Sequence, residues 1–117
     1  MDRKSPLSTF TFTVADSASL SDVQYLRGYA PKRILVPSGV EGTHLAFLVG
    51  EDPAAMLPAR KASDNSLIAL PITAGASMEL DLGLFDGMNY FQIKTCSASN
   101  GTAQNQTGTA IISVIVV

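Results

Sequence analysis

Apolar and polar positions along this 117-residue chain alternate in short bursts, and a helical repeat is almost absent. "TFTFTV", Thr9 to Val14, places Phe10, Phe12 and Val14 on one face and three threonines on the other. β-Branched threonine suits the outer face of a strand. "SASLSDV" (Ser17 to Val23) also starts by alternating, with Ala18 and Leu20 on one side. "KRILVP" reads as a short strand stopped by Pro37, and "SGVEG" as a turn. In "THLAFLVG", Leu45, Phe47 and Val49 share a face. The middle, "EDPAAMLPARKASDNS", suits a strand plus a loop better than a helical turn after Pro53. "LIALPI" and "MELDL" flank the turn "TAGAS". "NYFQIKTCS" turns Phe91 and Ile93 inward and Tyr90, Gln92 and Lys94 outward. A polar loop, "NGTAQNQTGT", precedes the last strand, "AIISVIVV".

About eight short strands with turns between them predict an all-β fold, an antiparallel β-sandwich or barrel. The expected organisation is an N-terminal arm, residues 1–8, and a single domain, residues 9–117. A chain of this length buries roughly two-thirds of its unfolded surface, enough for one core. Phe12, Phe47, Leu80, Phe85, Phe91 and Ile93 are the expected core.

The last strand breaks the pattern. Ala110, Ile112, Val114 and Val116 form one face; Ile111, Ser113, Ile115 and Val117 form the other, and both are apolar apart from Ser113. A strand buried on both sides reads this way. The second face meets either another chain or a loop, and the pattern does not say which face is inward. Ile111, Ile115 and Val117 are the candidate interface set, together with Arg3 and Lys4 of the polar arm, expected near a neighbour's carboxylates.

Composition adds weight to a covered surface. Charged residues make up 15% of the chain, against about 25% for an average soluble domain. Net charge is −2, and the basic pairs Arg3-Lys4 and Lys32-Arg33 are short, so nucleic acid is not an expected partner. "MDRKSPLSTF" lacks an apolar signal core and no apolar run approaches ~18 residues, so no membrane partner is expected and synthesis in a cytoplasm is. One cysteine, Cys96, excludes an internal disulfide.

Candidate chemistry is thin. His44 is the only histidine and lies on the strand face opposite Phe47. Cys96 would need a nearby histidine base to act as a nucleophile, and nothing in the sequence brings His44 to it. Glu41, Glu51, Asp52 and Asp64 stand in or beside turns, where carboxylates usually shape the turn. In "DLGLFDG", apolar residues fill the space between Asp81 and Asp86, whereas a calcium loop would interleave oxygen ligands. Asp81 suits the cap of a short 3₁₀ turn, Leu84 and Phe85 a plug for the core, and Gly87 the release into the next strand. No catalytic residue, metal ligand, cofactor or small-molecule substrate is expected.

The order of pieces carries more. "YLRGY", "RILVP", "LAFLV", "DLGLFDGMNYFQIKTCSAS", "AQNQTGT" and "AIISVIV", from Ser17 to the C-terminus, resemble a family of small structural proteins of tailed bacteriophages. The Asp-x-x-x-Phe-x-Gly corner and the Asn105-Gln106 loop are the most specific parts. The resemblance implies a jelly-roll β-sandwich in the virion without catalytic role: a capsid decoration, or cement, protein. Such a protein forms a homo-oligomer, typically a trimer, on the capsid surface and binds the major capsid protein. The middle departs from the pattern, with Met56, Leu57 and Pro58 where the family usually has aromatics. A second function class is a tail or baseplate module for host-surface carbohydrate, although the chain has no Trp and three Tyr.

Overall fold

The computed structural model describes residues 8–80, 85 and 89–117. Nine strands are present among them: β1 Ser8–Val14, β2 Gln24–Tyr25, β3 Pro31–Leu35, β4 His44–Gly50, β5 Leu57–Pro58, β6 Ala69–Pro71, β7 Ser77–Glu79, β8 Tyr90–Cys96 and β9 Ala110–Val116. All pairings are antiparallel, and the strands make two sheets. Sheet A has the order β1-β9-β3-β7, and sheet B the order β2-β8-β4-β5, with β6 also on β4.

β5 and β6 are two halves of one strand. Val49 and Leu48 pair with Leu57 and Pro58, and Ala46, Leu45 and His44 pair with Ala69, Leu70 and Pro71. Between them, Ala59 N–H donates to the Phe47 carbonyl and a small hairpin is inserted, its base closed by the bridge Arg60↔Leu67. Counted so, eight strands remain, and the chain changes sheet at every step except from β4 to the joined β5–β6 strand, its direct neighbour in sheet B. This is the jelly roll, an antiparallel β-sandwich. The middle is thus strand plus loop, as its prolines and polar punctuation predict.

Alternation decides what each sheet buries. Phe12 and Val14 of β1, Ile34 of β3 and Ile112, Val114 and Val116 of β9 point into the sandwich. From sheet B come Leu45, Phe47, Phe91 and Ile93. All six expected core residues are buried. Phe12, Phe47, Phe85 and Phe91 form an aromatic cluster in which Phe91 contacts the other three at centroid distances of 5.7, 5.4 and 5.0 Å. Such pairs add about 0.5–1.5 kcal/mol each beyond the area they bury.

"SASLSDV" is not a continuous strand. It makes single bridges, Val14↔Ser21 and Leu20↔Lys94, before β2. Its polar side chains bond the backbone of the flanking strands: Asp22 Oδ1 accepts the Thr13 N–H of β1, and Ser21 Oγ accepts the Ile93 N–H of β8. After β2, "YLRGY" turns through Arg27 and Gly28 at φ 57° and 84°, and Tyr29 N–H closes on the Leu26 carbonyl. Ser8 belongs to β1 rather than to the arm, so the domain begins one residue earlier than expected. The rest of the arm, with Arg3 and Lys4, lies outside the described residues, as does the corner apart from Phe85.

Candidate interface surfaces

The outer face of sheet A is built by the same alternation that fills the core. β9 sits between β1 and β3, so its outward residues lie mid-sheet. Thr9, Ile115, Arg33 and Glu79 form one cross-strand row. Thr11, Ser113, Leu35 and Ser77 form the next, and Thr13 pairs with Ile111. Ile111 is 53% exposed, Leu35 38% and Val117 44%; Ile115 is half-buried. The question left open by the doubly apolar strand is settled: Ala110, Ile112, Val114 and Val116 are core, and Ile111, Ser113 and Ile115 face out. The Val117 backbone is held by mutual bonds with Ala30, at 2.9 and 3.0 Å. In these cross-strand rows the charged residues are Arg33 and Glu79, on the β7 side, and Arg33 Nη1 donates to Ser77 Oγ.

β1 is the sheet edge next to that face, and an edge strand is a template for unwanted pairing. Here two side chains occupy part of it. Asp22 Oδ1 accepts the Thr13 N–H, while Gln24 Nε2 donates to the Thr11 carbonyl and to Asp22 Oδ2.

Of the loop carboxylates, Asp64 and Asp52 shape turns, while Glu51 and Glu41 tie distant segments together. Asp64 accepts from the Ser66 N–H and hydroxyl, and those bonds hold its carboxyl below the ordinary range. Asp52 accepts the Ala54 N–H, and Glu51 accepts from Asn89 Nδ2. Glu41 accepts from the Thr107 hydroxyl and N–H. Among the described residues, no three His, Cys, Asp or Glu side chains gather as metal ligands would.

His44 and Cys96 require a correction. They are direct cross-strand partners in the β4–β8 register, a proximity that nothing in the sequence suggests. The pairing does not make an activated nucleophile. Cys96 is fully buried, and burial pushes its thiol up from the ordinary value, the reverse of what a nucleophilic thiolate needs. Its Sγ–H points to the Lys94 carbonyl at 3.6 Å, and His44 Nδ1 is hydrogen-bonded to Thr43 Oγ1.

Sequence reasoning singled out the Asn105-Gln106 loop without giving Gln106 a role. Gln106 is a buried amide clamp. Its Oε1 accepts the Glu41 N–H at 2.9 Å and its Nε2 donates to the Glu41 carbonyl at 2.8 Å. Its own N–H donates to the Ala18 carbonyl, and its carbonyl accepts the Ser17 N–H. The side chain thereby acts as an extra backbone unit toward Glu41, and side chain and backbone together join three loops. Beside it, Gly42 at φ 121° lies so close to the Cys96 carbonyl that a Cβ would stand 2.8 Å from it.

No family model matches the chain, and no curated protein matches it. Among solved structures, the crystal structure of the SPBc2 prophage-derived protein YomS is similar, with a TM-score of 0.54 and 11% identity. The likeness covers 99% of this chain and 98% of that one. At that identity the two share a fold, and function has to be argued from surfaces.

Proposed function

We propose that this chain is a bacteriophage virion structural protein, a capsid decoration protein that binds the shell of major capsid protein and stabilises it without catalysis. One observation carries most weight: the fold matches that of a prophage-derived protein over nearly the full length of both chains. The motif order from Ser17 to the C-terminus supports the same origin. So does the outer face of β1 and β9, which is aliphatic and hydroxylated rather than charged.

The mechanism is mass action: a protein that binds only the assembled shell raises the stability of that state. A trimer at a three-fold joint would make three linked contacts, and linked contacts multiply affinity without new chemistry. Ile111, Ile115 and Val117 are the residues proposed to meet the neighbouring copy. The arm, with Arg3 and Lys4, is proposed to reach across to a carboxylate-bearing neighbour. Deleting residues 2–7 should then weaken attachment to the particle and leave the fold intact.

The test is the copy number in purified virions, by quantitative mass spectrometry against the major capsid protein. A number comparable to that of the shell subunits is expected. Absence from the virion would refute the proposal. A number matching tail components would favour a second reading, carbohydrate binding at the tail. That reading draws on Tyr25 and Tyr90, a cross-strand pair with centroids 5.2 Å apart, of which Tyr25 is half exposed.

A further inference from the structure

The hairpin inserted between β5 and β6 is not needed to complete the jelly roll. It is nevertheless well built. Lys61 N–H donates to the Ser66 carbonyl at 2.8 Å, Asn65 N–H to the Lys61 carbonyl at 2.9 Å, and Asn65 sits at φ 59°. The hairpin stands beside the outer face of sheet B and walls a groove of about 390 Å³. The opposite wall is the loop after β8. The two walls meet where Gly101 lies against Leu67, so closely that a Cβ on Gly101 would come within 2.6 Å of Leu67 Cδ2.

The floor is the outer face of sheet B. Leu20, Lys94 and Ala46 form one cross-strand row, and Leu48 follows Ala46 on the same face of β4. Two cations reach the groove, Lys94 from the floor and Arg60 from the hairpin. Neither an aspartate nor a glutamate lines it among the described residues, although the chain as a whole is acidic. Arg60 Nη1 donates to the Asn65 carbonyl at 3.0 Å. That bond holds the guanidinium against its own hairpin and leaves further N–H groups to donate.

We propose that this groove binds an extended, carboxylate-bearing segment of a partner protein. In an extended chain alternate side chains point to opposite faces. An aliphatic residue can then lie on Leu20 and Leu48 while carboxylates two residues along, on the same face, meet Lys94 and Arg60. Charge complementarity decides between occupants. A free anion leaves the apolar floor unused. A nucleic acid calls for a concentrated basic face rather than two cations. In a second copy, Asp22, Glu41, Glu51, Asp52 and Asp64 are already hydrogen-bonded within their own chain. The proposal is independent of where in a particle the protein sits.

The experiment is selection from a display library of short random peptides on the intact protein, with the Lys94→Glu, Arg60→Glu double variant as counter-selection. Enriched sequences should pair Asp or Glu with Leu, Ile or Val. A synthetic peptide from the winners should shift the backbone amide signals of Ala46, Leu48, Lys94 and Gly101. Its affinity should fall about ten-fold or more in the Lys94→Gln, Arg60→Gln variant, which removes the charges without reversing them. Unchanged melting temperatures of both variants exclude misfolding as the cause. Failure to enrich acidic sequences over the counter-selected background would overturn the proposal. So would equal shifts at these amides from inorganic phosphate, from an oligothymidine, or from raised protein concentration alone. Those three results would identify an anion site, a nucleic-acid site and a self-contact.

Discussion

Replacing Gln106 by Ala removes both bonds to the Glu41 backbone, one to its N–H and one to its carbonyl. Every buried side-chain nitrogen and oxygen among the described residues has a partner, and Gln106 itself is 2% exposed. A buried polar group left without a partner costs about 1–3 kcal/mol. The site is only part-buried at Glu41, so water can reach part of the vacated volume and recover some of that loss. The expected cost is about 2–4 kcal/mol out of a total stability of roughly 5–15 kcal/mol. Urea titration followed by tyrosine fluorescence or circular dichroism would read it as a lower midpoint with an unchanged slope. Asn105→Ala, at the exposed neighbour, should stay within about 0.5 kcal/mol. Gln106→Glu adds a signature. An ionised carboxylate there would face the Glu41 carbonyl, while a protonated one can still donate to it. Its folded-state pKa should therefore lie above the unfolded value of about 4.3. The folded state then binds the extra proton, and the variant's stability should fall as pH rises between the two values. A loss below about 0.5 kcal/mol for Gln106→Ala, or a Gln106→Glu penalty that does not change with pH, would refute the clamp.

Phe91→Ala should cost about 3–5 kcal/mol in the same titration, because it empties the centre of the aromatic cluster; a cost below about 1 kcal/mol would contradict the packing. Ile115→Lys should stay folded, since the side chain faces out, and any trimer or particle attachment should weaken; light scattering and particle binding read the two effects, and unfolding would contradict the assigned face. Cys96 should react with a thiol reagent only slowly in the native protein and rapidly in denaturant, because it is buried and its thiol is pushed up. Asp22→Ala should lose about 1 kcal/mol and promote association through β1, measured by denaturation and by concentration-dependent sedimentation.

Local sequence was sufficient wherever one face of a strand differs from the other. Thr9 to Val14 could be oriented because threonine and phenylalanine alternate, and "NYFQIKTCS" because Phe91 and Ile93 stand between Tyr90, Gln92 and Lys94. The turn at "TAGAS" was legible because glycine tolerates the positive φ found at Gly75. The short serine-rich stretch after β1 was not, because its backbone and side chains divide their bonds among β1, β8 and the Gln106 loop, and alternation does not register such long-range partners.

Residue order thus determined the class of fold, the count of strands and most of the core, since all three follow from a period of two and from turn chemistry. Only tertiary structure could decide the rest, because it depends on register between strands far apart in the chain. The strand Ala110 to Val117 is apolar on both faces, so its orientation came from pairing Ile112 with Phe12 and Ile111 with Thr13. The same long-range register set His44 opposite Cys96 and Lys94 between Leu20 and Ala46. Gln106 is one more polar loop residue until Glu41 is brought beside it, and only the folded chain makes that contact.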